Sequence, residues 1–460
     1  MAHIPKRMFL ILVFFAEIIH SSIHATNGWL LPAKTLSAPI SSWNTTENSL
    51  SVAMDNTGNA IATWVIQAEL VSYIAIDKYD HSSQLWSSTI KKFQKTENVF
   101  TKPILHMTPG GTAFIMWREG DAAPYYYTAT KYPANAIWEI WDPETIQLST
   151  TYTLAQAQLA INDLGDALFI SGSSSGYKSN FYDHTHTWAT DPLSEQPTSI
   201  SLKALNLQLT LDNTGTGIAI FISSSDLFVT TYQSSAWNTP IQVNAIGTIV
   251  SDAKLYTDNI SGKSYIIWIE DGTKVQVVQV GQTSKTLATS SVTIGSIKAA
   301  MDIQGHITFM WTENGVNSGA LLTAYFDGSD WNSWAPTSTT LATSSSQQIL
   351  YYTLGIQPQS PYIILAAWEV HNGSQFILQT NQAVADTWGT TQNIFLLGNN
   401  RAHDPLVGLD GTGNAAVAWG QVAPQLATST VLVNTLMYDA TEGWQNEPIV
   451  LSNSGYCDCN

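Results

Sequence analysis

The sequence has almost no cysteine. Its only two cysteines, Cys457 and Cys459, lie in the C-terminal stretch "YCDCN" of a 460-residue chain. No disulfide can therefore join distant parts of the fold, which must be held together by burial of apolar side chains and by strand pairing. We expect residues 456–460 to form a tail that neither packs nor binds a ligand.

Positive charge is scarce as well, and charged residues of both signs are few. They make up 12% of the chain, with 18 lysines and arginines against 35 aspartates and glutamates, which gives a formal net charge of −17. A chain this acidic repels polyanions, whose binding is largely electrostatic. We therefore expect neither nucleic acid nor an anionic membrane surface as a partner.

The sequence has only one long hydrophobic run, "MFLILVFFAEII", near its beginning. The run follows the basic pair Lys6 and Arg7 and precedes the small residue Ala25, which is the arrangement of a secretory signal peptide. A membrane anchor is the alternative, but the run contains Glu17 and is shorter than the roughly 20 residues that span a bilayer. We predict a signal peptide over residues 1–25, a secreted, periplasmic or extracellular location, and no membrane insertion after cleavage.

What the sequence has in abundance is a repeat. The phrase "MDNTGNAIATW" at 54–64 returns as "LDGTGNAAVAW" at 409–419, and looser copies lie between them. Most copies have a glycine followed six residues later by an aromatic residue, and the second position recurs at intervals of 43 to 57 residues. The pairs are Gly58 and Trp64, Gly111 and Trp117, Gly165 and Ser171, Gly215 and Phe221, Gly262 and Trp268, Gly305 and Trp311, and Gly413 and Trp419, while Trp368 alone marks the seventh copy.

Each copy has the pattern of a tight turn followed by strands. The Asp and Gly of D-x-x-G suit a type I turn, and the residues after the turn alternate with apolar side chains on both faces. Two further strand-like segments follow, and the last begins near a second tryptophan in most copies. These outer tryptophans are Trp86, Trp138 or Trp141, Trp188, Trp237, Trp331, Trp388 and Trp444.

Eight such units, with no convincing amphipathic helix, predict an all-β fold: a β-propeller of about eight four-stranded blades in one domain over residues 26–455. Seven blades plus an irregular unit is the alternative. The segment at 28–39 resembles the last strand segment at 443–455. It either pairs with the last blade to close the ring or replaces the terminal strand.

The D-x-x-G-N-A-x-A-x-W phrase resembles the repeat of secreted bacterial β-propeller proteins, which are distantly sialidase-like and mostly uncharacterised. The resemblance covers nearly the whole chain after the signal segment. The related Asp-box, S-x-D-x-G-x-T-W, is not matched, because two residues separate Asp55 and Gly58. Sialidases hold the substrate carboxylate with three arginines, and after residue 25 this chain contains only Arg118 and Arg401. The resemblance therefore implies a propeller and not sialidase activity.

Polar residues follow the repeated tryptophan at the expected end of the second strand. The residue two positions after it is Glu119, Glu270, Glu313 or Gln421 in four copies, and Glu369 directly follows Trp368. We predict that these side chains form a partial ring at one mouth of the propeller. The ring could accept hydrogen bonds from sugar hydroxyls, hold Ca²⁺ or attract a basic partner. The alternative is that strand ends beside loops simply take polar residues.

Three further observations bear on function. Arg118, beside Glu119, either binds the ligand with the ring or pairs with a nearby acid. The pair His184 and His186 in "YDHTHTW" is a metal-like cluster, but its spacing favours an ordinary exposed turn. The sequence contains no phosphate-loop or H-E-x-x-H motif.

We therefore predict a secreted, non-enzymatic binding protein whose ligand is a carbohydrate or another protein. No catalytic residue and no resident cofactor are predicted, with Ca²⁺ as the exception that the acidic ring would allow. The alternative is an extracellular enzyme that acts on polysaccharide, either a glycoside hydrolase or a lyase. The repetition of the acidic residue from unit to unit favours binding, because an enzyme would concentrate its charged side chains in one pocket.

Overall fold

The computed structural model describes residues 43–44 and most residues from 51 to 450. The longer stretches outside the described residues are 1–42, 45–50, 96–102, 120–125, 139–144, 148–156, 185–195, 201–203, 358–361, 410–412, 423–430 and 451–460, with gaps of one to three residues elsewhere. The regular structure in the described part consists of β-strands alone. None of it forms a helix long and apolar enough to cross a membrane.

The strands form eight antiparallel sheets that follow one another along the chain. Sheet 1 contains β1 (Trp43–Asn44), β2 (Ser51–Met54), β3 (Ala60–Ala68), β4 (Val71–Asp80), β5 (Leu85–Trp86) and β6 (Lys91–Lys95). Sheet 2 contains β7 (Ile104–Met107), β8 (Ala113–Glu119), β9 (Tyr126–Tyr132) and β10 (Thr145–Gln147). Sheet 3 contains β11 (Ala157–Ile161), β12 (Ala167–Ser173), β13 (Gly176–Tyr182) and β14 (Gln196–Pro197). Sheet 4 contains β15 (Leu205–Leu211), β16 (Gly217–Ser223), β17 (Asp226–Gln233), β18 (Ala236–Trp237) and β19 (Ile241–Gln242).

The second half of the chain repeats the pattern. Sheet 5 contains β20 (Val250–Thr257), β21 (Ser264–Glu270), β22 (Lys274–Gln279) and β23 (Lys285–Thr289). Sheet 6 contains β24 (Thr293–Met301), β25 (Ile307–Gly315), β26 (Ser318–Phe326) and β27 (Ser338–Ser344). Sheet 7 contains β28 (Tyr352–Ile356), β29 (Ile363–His371), β30 (Phe376–Val384), β31 (Thr387–Trp388) and β32 (Gln392–Gly398). Sheet 8 contains β33 (Arg401–Leu409), β34 (Ala415–Val422), β35 (Val431–Asp439), β36 (Gly443–Trp444) and β37 (Ile449–Val450).

The larger sheets are four-stranded units with an interrupted strand. In sheets 1, 4, 7 and 8 the fourth strand is divided into two short pieces that both pair with the third strand. In sheet 1 the first strand is also divided, because β1 and β2 both pair with β3. The prediction of an all-β chain built from small antiparallel units is therefore confirmed.

The repeated tryptophans lie at one position of the second strand and are buried. Trp64, Trp117, Trp268, Trp311, Trp368 and Trp419 are each less than 2% exposed. Trp368 keeps this register although its unit has no D-x-x-G. The turn before β29 closes with a hydrogen bond from Gln357 N to Ile363 O, which makes it two residues longer than the turn from Asp302 to His306 in sheet 6.

Each pair of consecutive sheets, from 1–2 to 7–8, shares a cluster of buried apolar side chains. We call the boundary between two consecutive sheets a seam. The first strands of successive sheets lie against each other along the series, from β2 to β33. The core is thus a succession of seams, because each sheet buries both faces against its neighbours, as the alternation of the second strand predicts.

The D-x-x-G turns also connect neighbouring sheets. Asp55 accepts hydrogen bonds from Thr57 N (2.8 Å) and Asn59 N (2.9 Å), so its carboxylate caps its own turn. Gly111, with a φ of +89°, passes so close that a Cβ there would lie 3.0 Å from Oδ2 of Asp55. Gly262 approaches Asp212 of the preceding sheet in the same way. The Asp therefore closes its own turn, and a glycine in the equivalent turn of the next sheet, in "TPGG" and "DNISG" here, lets that turn pack against it.

Several predictions concern residues outside the described ones. These are the signal peptide over 1–25, the segment at 28–39, His186, the turn residue Asp410, and the tail at 456–460 with Cys457 and Cys459. They stay predictions.

Candidate functional site

The described acids of the predicted ring have partners within the protein. Glu270 is 4% exposed, with Lys274 Nζ 3.5 Å from its Oε1 and a hydrogen bond from Thr248 Oγ1 at 3.2 Å. Glu313 accepts hydrogen bonds from Ser290 Oγ at 2.9 Å and Trp311 Nε1 at 3.4 Å. Both carboxylates therefore have structural partners that a ligand would have to replace.

The remaining ring residues are located only by their strands. Glu119 is the last residue of β8, and Gln421 lies near the end of β34, while their side chains lie outside the described part of the structure. Arg118 precedes Glu119 on β8 and is partly buried. Binding by these residues, alone or with Ca²⁺, stays a prediction.

Glu369 has a different environment, because it forms a buried ion pair across the seam between sheets 7 and 8. Its Oε1 accepts hydrogen bonds from Arg401 Nε at 2.9 Å and Arg401 Nη2 at 2.6 Å, and its Oε2 accepts one from the backbone N–H of Ala402. The guanidinium lies over the rings of Tyr351 and Phe376, with its Cζ 5.1 and 4.8 Å from the ring centroids.

Burial raises the pKa of Glu369, although the hydrogen bonds and charge of Arg401 act to lower it. The sequence offered Glu369 only as an irregular member of the ring, and the structure gives it a fully satisfied set of partners. Its place in the fold therefore indicates a structural tie between two sheets.

A cleft of about 340 Å³ lies on the same seam. Sheet 7 contributes Thr380, Gln382 and Trp388, and sheet 8 contributes Tyr438 and Trp444. The rings of Tyr438 and Trp444 pack at 5.2 Å between centroids, and Trp388 and Trp444 are partly exposed. Trp237, the outer tryptophan of sheet 4, is also partly exposed, whereas Trp138 and Trp331, the outer tryptophans of sheets 2 and 6, are 4% and 3% exposed.

The equivalent seam between sheets 3 and 4 is closed by direct contacts. Trp237 Nε1 donates a hydrogen bond to Ser179 Oγ at 2.7 Å across that seam. The rings of Phe181 and Tyr232 fill the space beside it, with 5.6 Å between centroids. A Cβ on Gly217 would lie 2.2 Å from Leu168, so this glycine permits the close approach of the two sheets.

Strand register shows which residues at the seam between sheets 7 and 8 correspond to those that close the seam between sheets 3 and 4. Phe181 pairs with Leu168 at the second position after the turn, and Gln382 pairs with Leu365 at the same position. By the same register Thr380 takes the place of Ser179. Trp444 pairs with Tyr438 as Trp237 pairs with Tyr232. Among the described residues, the indole nitrogen of Trp444 donates no hydrogen bond across the seam.

The seams between sheets 1 and 2 and between sheets 2 and 3 are closed by a lysine. This lysine occupies the strand position that Phe181 has in sheet 3 and Gln382 has in sheet 7. Lys78 Nζ donates to Tyr132 Oη at 3.0 Å, and Lys131 Nζ donates to Tyr182 Oη at 2.8 Å. Each ammonium also lies over the tyrosine ring, at 5.2 and 4.6 Å from the centroid. At the seam between sheets 7 and 8 the corresponding pair is Gln382 and Tyr438, and a cleft lies between the two sheets.

Among the described residues, the lining of the cleft carries no aspartate, glutamate, lysine, arginine or histidine, and Tyr438 is its one titratable side chain. The surface offers indole and phenol rings, amides from Asn381, Gln382 and Gln392, and threonine hydroxyls. This is the mixture of apolar area and a few polar groups that small-ligand sites use.

Sequence reasoning did not find this cleft. Trp388 and Trp444 belong to the outer tryptophans, which recur in most units as packing residues, so neither stood out. The available signal was the residue on the third strand that faces the next unit. It is lysine or phenylalanine in the first three units and glutamine in the fifth and seventh. The glutamine of the fifth unit, Gln279, lies at a seam that Trp331 bridges with a hydrogen bond to Thr283 O, so the residue type alone does not mark the cleft.

The metal-like cluster of the sequence is partly present. Asp166, Asp183 and His184 bring one ligand atom each within 4.8 Å of one another. His184 Nδ1 is 2.6 Å from Asp166 Oδ1, and Asp166 Oδ2 accepts a hydrogen bond from Asn162 at 2.8 Å. The Asp166–His184 contact joins the turn before β12 to the residues that follow β13. It differs from the contact of His306 with Asp302 at 2.5 Å in sheet 6, which lies within a single turn.

Comparisons with known proteins give no family. No protein-family model matches the chain, and no curated protein matches it. Solved structures that resemble it include polysaccharide lyase Uly1, with 11% identity, a TM-score of 0.40, and coverage of 98% of this chain and 94% of that one.

Two further structures show how varied the matches are. The PL25 ulvan lyase bound to a GlcA(1-4)Rha3S saccharide has 9% identity, a TM-score of 0.39, and coverage of 82% of this chain and 92% of that one. A eukaryotic initiation factor has 10% identity, a TM-score of 0.45, and coverage of 85% and 86%. At these values the likeness assigns no activity to this chain.

Proposed function

We propose that this protein is a secreted, non-enzymatic carbohydrate-binding protein and that its site is the cleft between sheets 7 and 8. The observation that carries the proposal is an uncharged, aromatic and amide-lined opening at a seam whose equivalents between sheets 1 and 2, 2 and 3, and 3 and 4 are closed by direct contacts. Aromatic rings suit the apolar faces of sugars, and the amides and hydroxyls suit their hydroxyl groups.

The architecture we propose is a closed propeller in which the eight sheets are blades. Support comes from the continuous series of shared core clusters and from the first strands lying against each other. A compact ring of this length has a radius of gyration of about 22 Å. Small-angle X-ray scattering measures it, and a clearly larger value would indicate an open spiral.

The main alternative is an enzyme that acts on extracellular polysaccharide. Glycoside hydrolysis usually needs two carboxyl groups flanking the bond, and the cleft lining has none. Incubation with polysaccharides followed by assays for reducing ends and for unsaturated sugars separates the two functions. Binding without product supports the proposal, and turnover overturns the non-enzymatic part of it.

The test of the site is a glycan array read with four proteins. The wild type, Trp444→Leu, Glu270→Gln and Glu313→Gln are compared. Leucine keeps apolar bulk at Trp444 but removes the ring and the N–H donor, so we expect binding to be lost in that variant and kept in the two Glu variants. Loss in the Glu variants with retention in Trp444→Leu would transfer the site to the predicted acidic ring.

A further inference from the structure

We infer that the ligand of the cleft between sheets 7 and 8 is an uncharged saccharide, and that Gln382 leaves the space in the seam that this ligand occupies. This inference rests on the carbohydrate-binding function proposed above. It adds the chemical class of the ligand and the sequence change that made room for it.

The described residues of the cleft offer no positive charge to an anionic sugar. Recognition of a uronate or sulfate group commonly uses arginine or lysine, and the described lining has neither. Among the described residues, the acids next to lining residues in the chain are Asp386, next to Thr387, and Asp439, next to Tyr438, and both are exposed. They add to the negative charge of the whole chain. An anionic saccharide would therefore meet repulsion with no compensating partner.

The polar groups that remain match a neutral sugar. Gln382 is partly exposed in the cleft, and its side chain makes no hydrogen bond with the described residues. An amide supplies both a donor and an acceptor, as each sugar hydroxyl requires. The Trp444 indole adds one donor, and Thr380, at 2% exposed, provides a hydroxyl at the position where Ser179 accepts from Trp237 in the closed seam.

The size of the cleft also limits the ligand. Its volume of about 340 Å³ is at the small end of the usual range for ligand pockets. The cleft therefore holds a mono- or disaccharide unit, or the end of a longer glycan, rather than a long segment of polymer.

Gln382 leaves this seam open together with Trp444, whose indole makes no hydrogen bond across the seam with the described residues. In sheet 5 the equivalent residue is Gln279, and there Trp331 bridges the seam by donating to Thr283 O at 2.8 Å.

The counterpart of Gln382 in sheet 3, Phe181, fills the space against Tyr232 in sheet 4, whereas a glutamine beside Tyr438 leaves a cavity with a polar wall. Substitution of Gln382 by phenylalanine should therefore recreate the closed seam without disturbing strand pairing. Phe181→Gln is the matched control, because it makes the opposite change at an equivalent position in a distant sheet.

The experiment measures binding on an array that pairs neutral hexose and N-acetylhexosamine oligosaccharides with uronic acid and sulfated counterparts. We expect neutral members alone to bind the wild type, Gln382→Phe to weaken binding at least about tenfold, and Phe181→Gln to leave it unchanged. Binding should also be insensitive to added salt, because no ion pair forms. Circular dichroism and the unfolding midpoint of each variant show that the fold is kept.

Each outcome bears on one proposal. Cleft-dependent binding of the anionic members would overturn the neutral class and leave the carbohydrate-binding function standing. Binding of neutral sugars that Gln382→Phe does not weaken would overturn the role of Gln382. Absence of binding to any glycan would overturn the proposed function itself.

Discussion

Substitution of Arg401 by methionine should strongly destabilise the protein, because it removes the partner of a buried carboxylate. Glu369 is 2% exposed and receives two hydrogen bonds from Arg401 and one from the backbone of Ala402. Removal of one member of a buried ion pair typically costs about 3–5 kcal/mol. Because methionine can still pack on Tyr351 and Phe376, the loss of unfolding free energy measures mainly the removal of the guanidinium charge and its hydrogen bonds.

The loss should also depend on pH in a defined direction. Burial already raises the pKa of Glu369, and removal of Arg401 raises it further. The unfolded chain then gives up its proton at a lower pH than the folded protein does. The stability of Arg401→Met must fall as pH rises from the ordinary pKa of the carboxyl through the raised one. The difference in unfolding free energy between Arg401→Met and the wild type should therefore be smaller at about pH 5 than at about pH 8.

The assay is equilibrium urea unfolding followed by tryptophan fluorescence at both pH values. A double variant, Glu369→Gln with Arg401→Met, removes both charges and keeps an amide oxygen to accept the hydrogen bond from Ala402 N, so it should recover much of the loss. An Arg401→Met midpoint equal to that of the wild type, or a deficit of the same size at both pH values, would refute the reasoning.

Two further predictions concern stability. Gly262→Ala should lower the free energy of unfolding more than Gly281→Ala does in the same assay. Both glycines have a positive φ, but only at Gly262 would the added Cβ lie 2.9 Å from the Asp212 carboxylate. Equal costs would mean that the turns do not pack as described. Desolvation lowers the pKa of His106 in the folded protein from 6.5 to about 4. As pH falls, the unfolded chain therefore takes up a proton at His106 before the folded protein does. The free energy of unfolding should accordingly fall as pH drops across that interval. His106→Gln should flatten this part of the stability profile measured against pH.

The repeat predicted the unit of the fold well, because its signals are local. The D-x-x-G turn and the alternation after it specify two strands without any information from distant residues. Trp368 was placed correctly although its unit has no turn glycine, since the buried position depends on strand register and not on turn length.

The cleft was not predictable in the same way, because it results from a difference between two seams. Gln382 alone is an ordinary polar residue on a strand. It becomes informative only when strand register shows that its counterpart, Phe181, packs against the next sheet. Similarly, Glu270 and Glu313 were identified by their spacing from a tryptophan, and spacing cannot show that Lys274 and Ser290 already contact them.

The seam between sheets 7 and 8 has ties at both ends of β29, on either side of the cleft residue Leu365. At one end, Gly413 packs so that a Cβ there would lie 3.2 Å from Ile363 in the long turn of sheet 7. At the other, Glu369 binds Arg401. A cavity forfeits packing energy along its walls, and contacts at both ends of the seam offset that loss. The ion pair therefore stabilises the seam that contains the cleft.

If the pair and the ligand act on the same two sheets independently, the destabilisation by Arg401→Met and the stabilisation by bound saccharide should add. A departure from additivity would show that the ion pair also sets the width of the cleft.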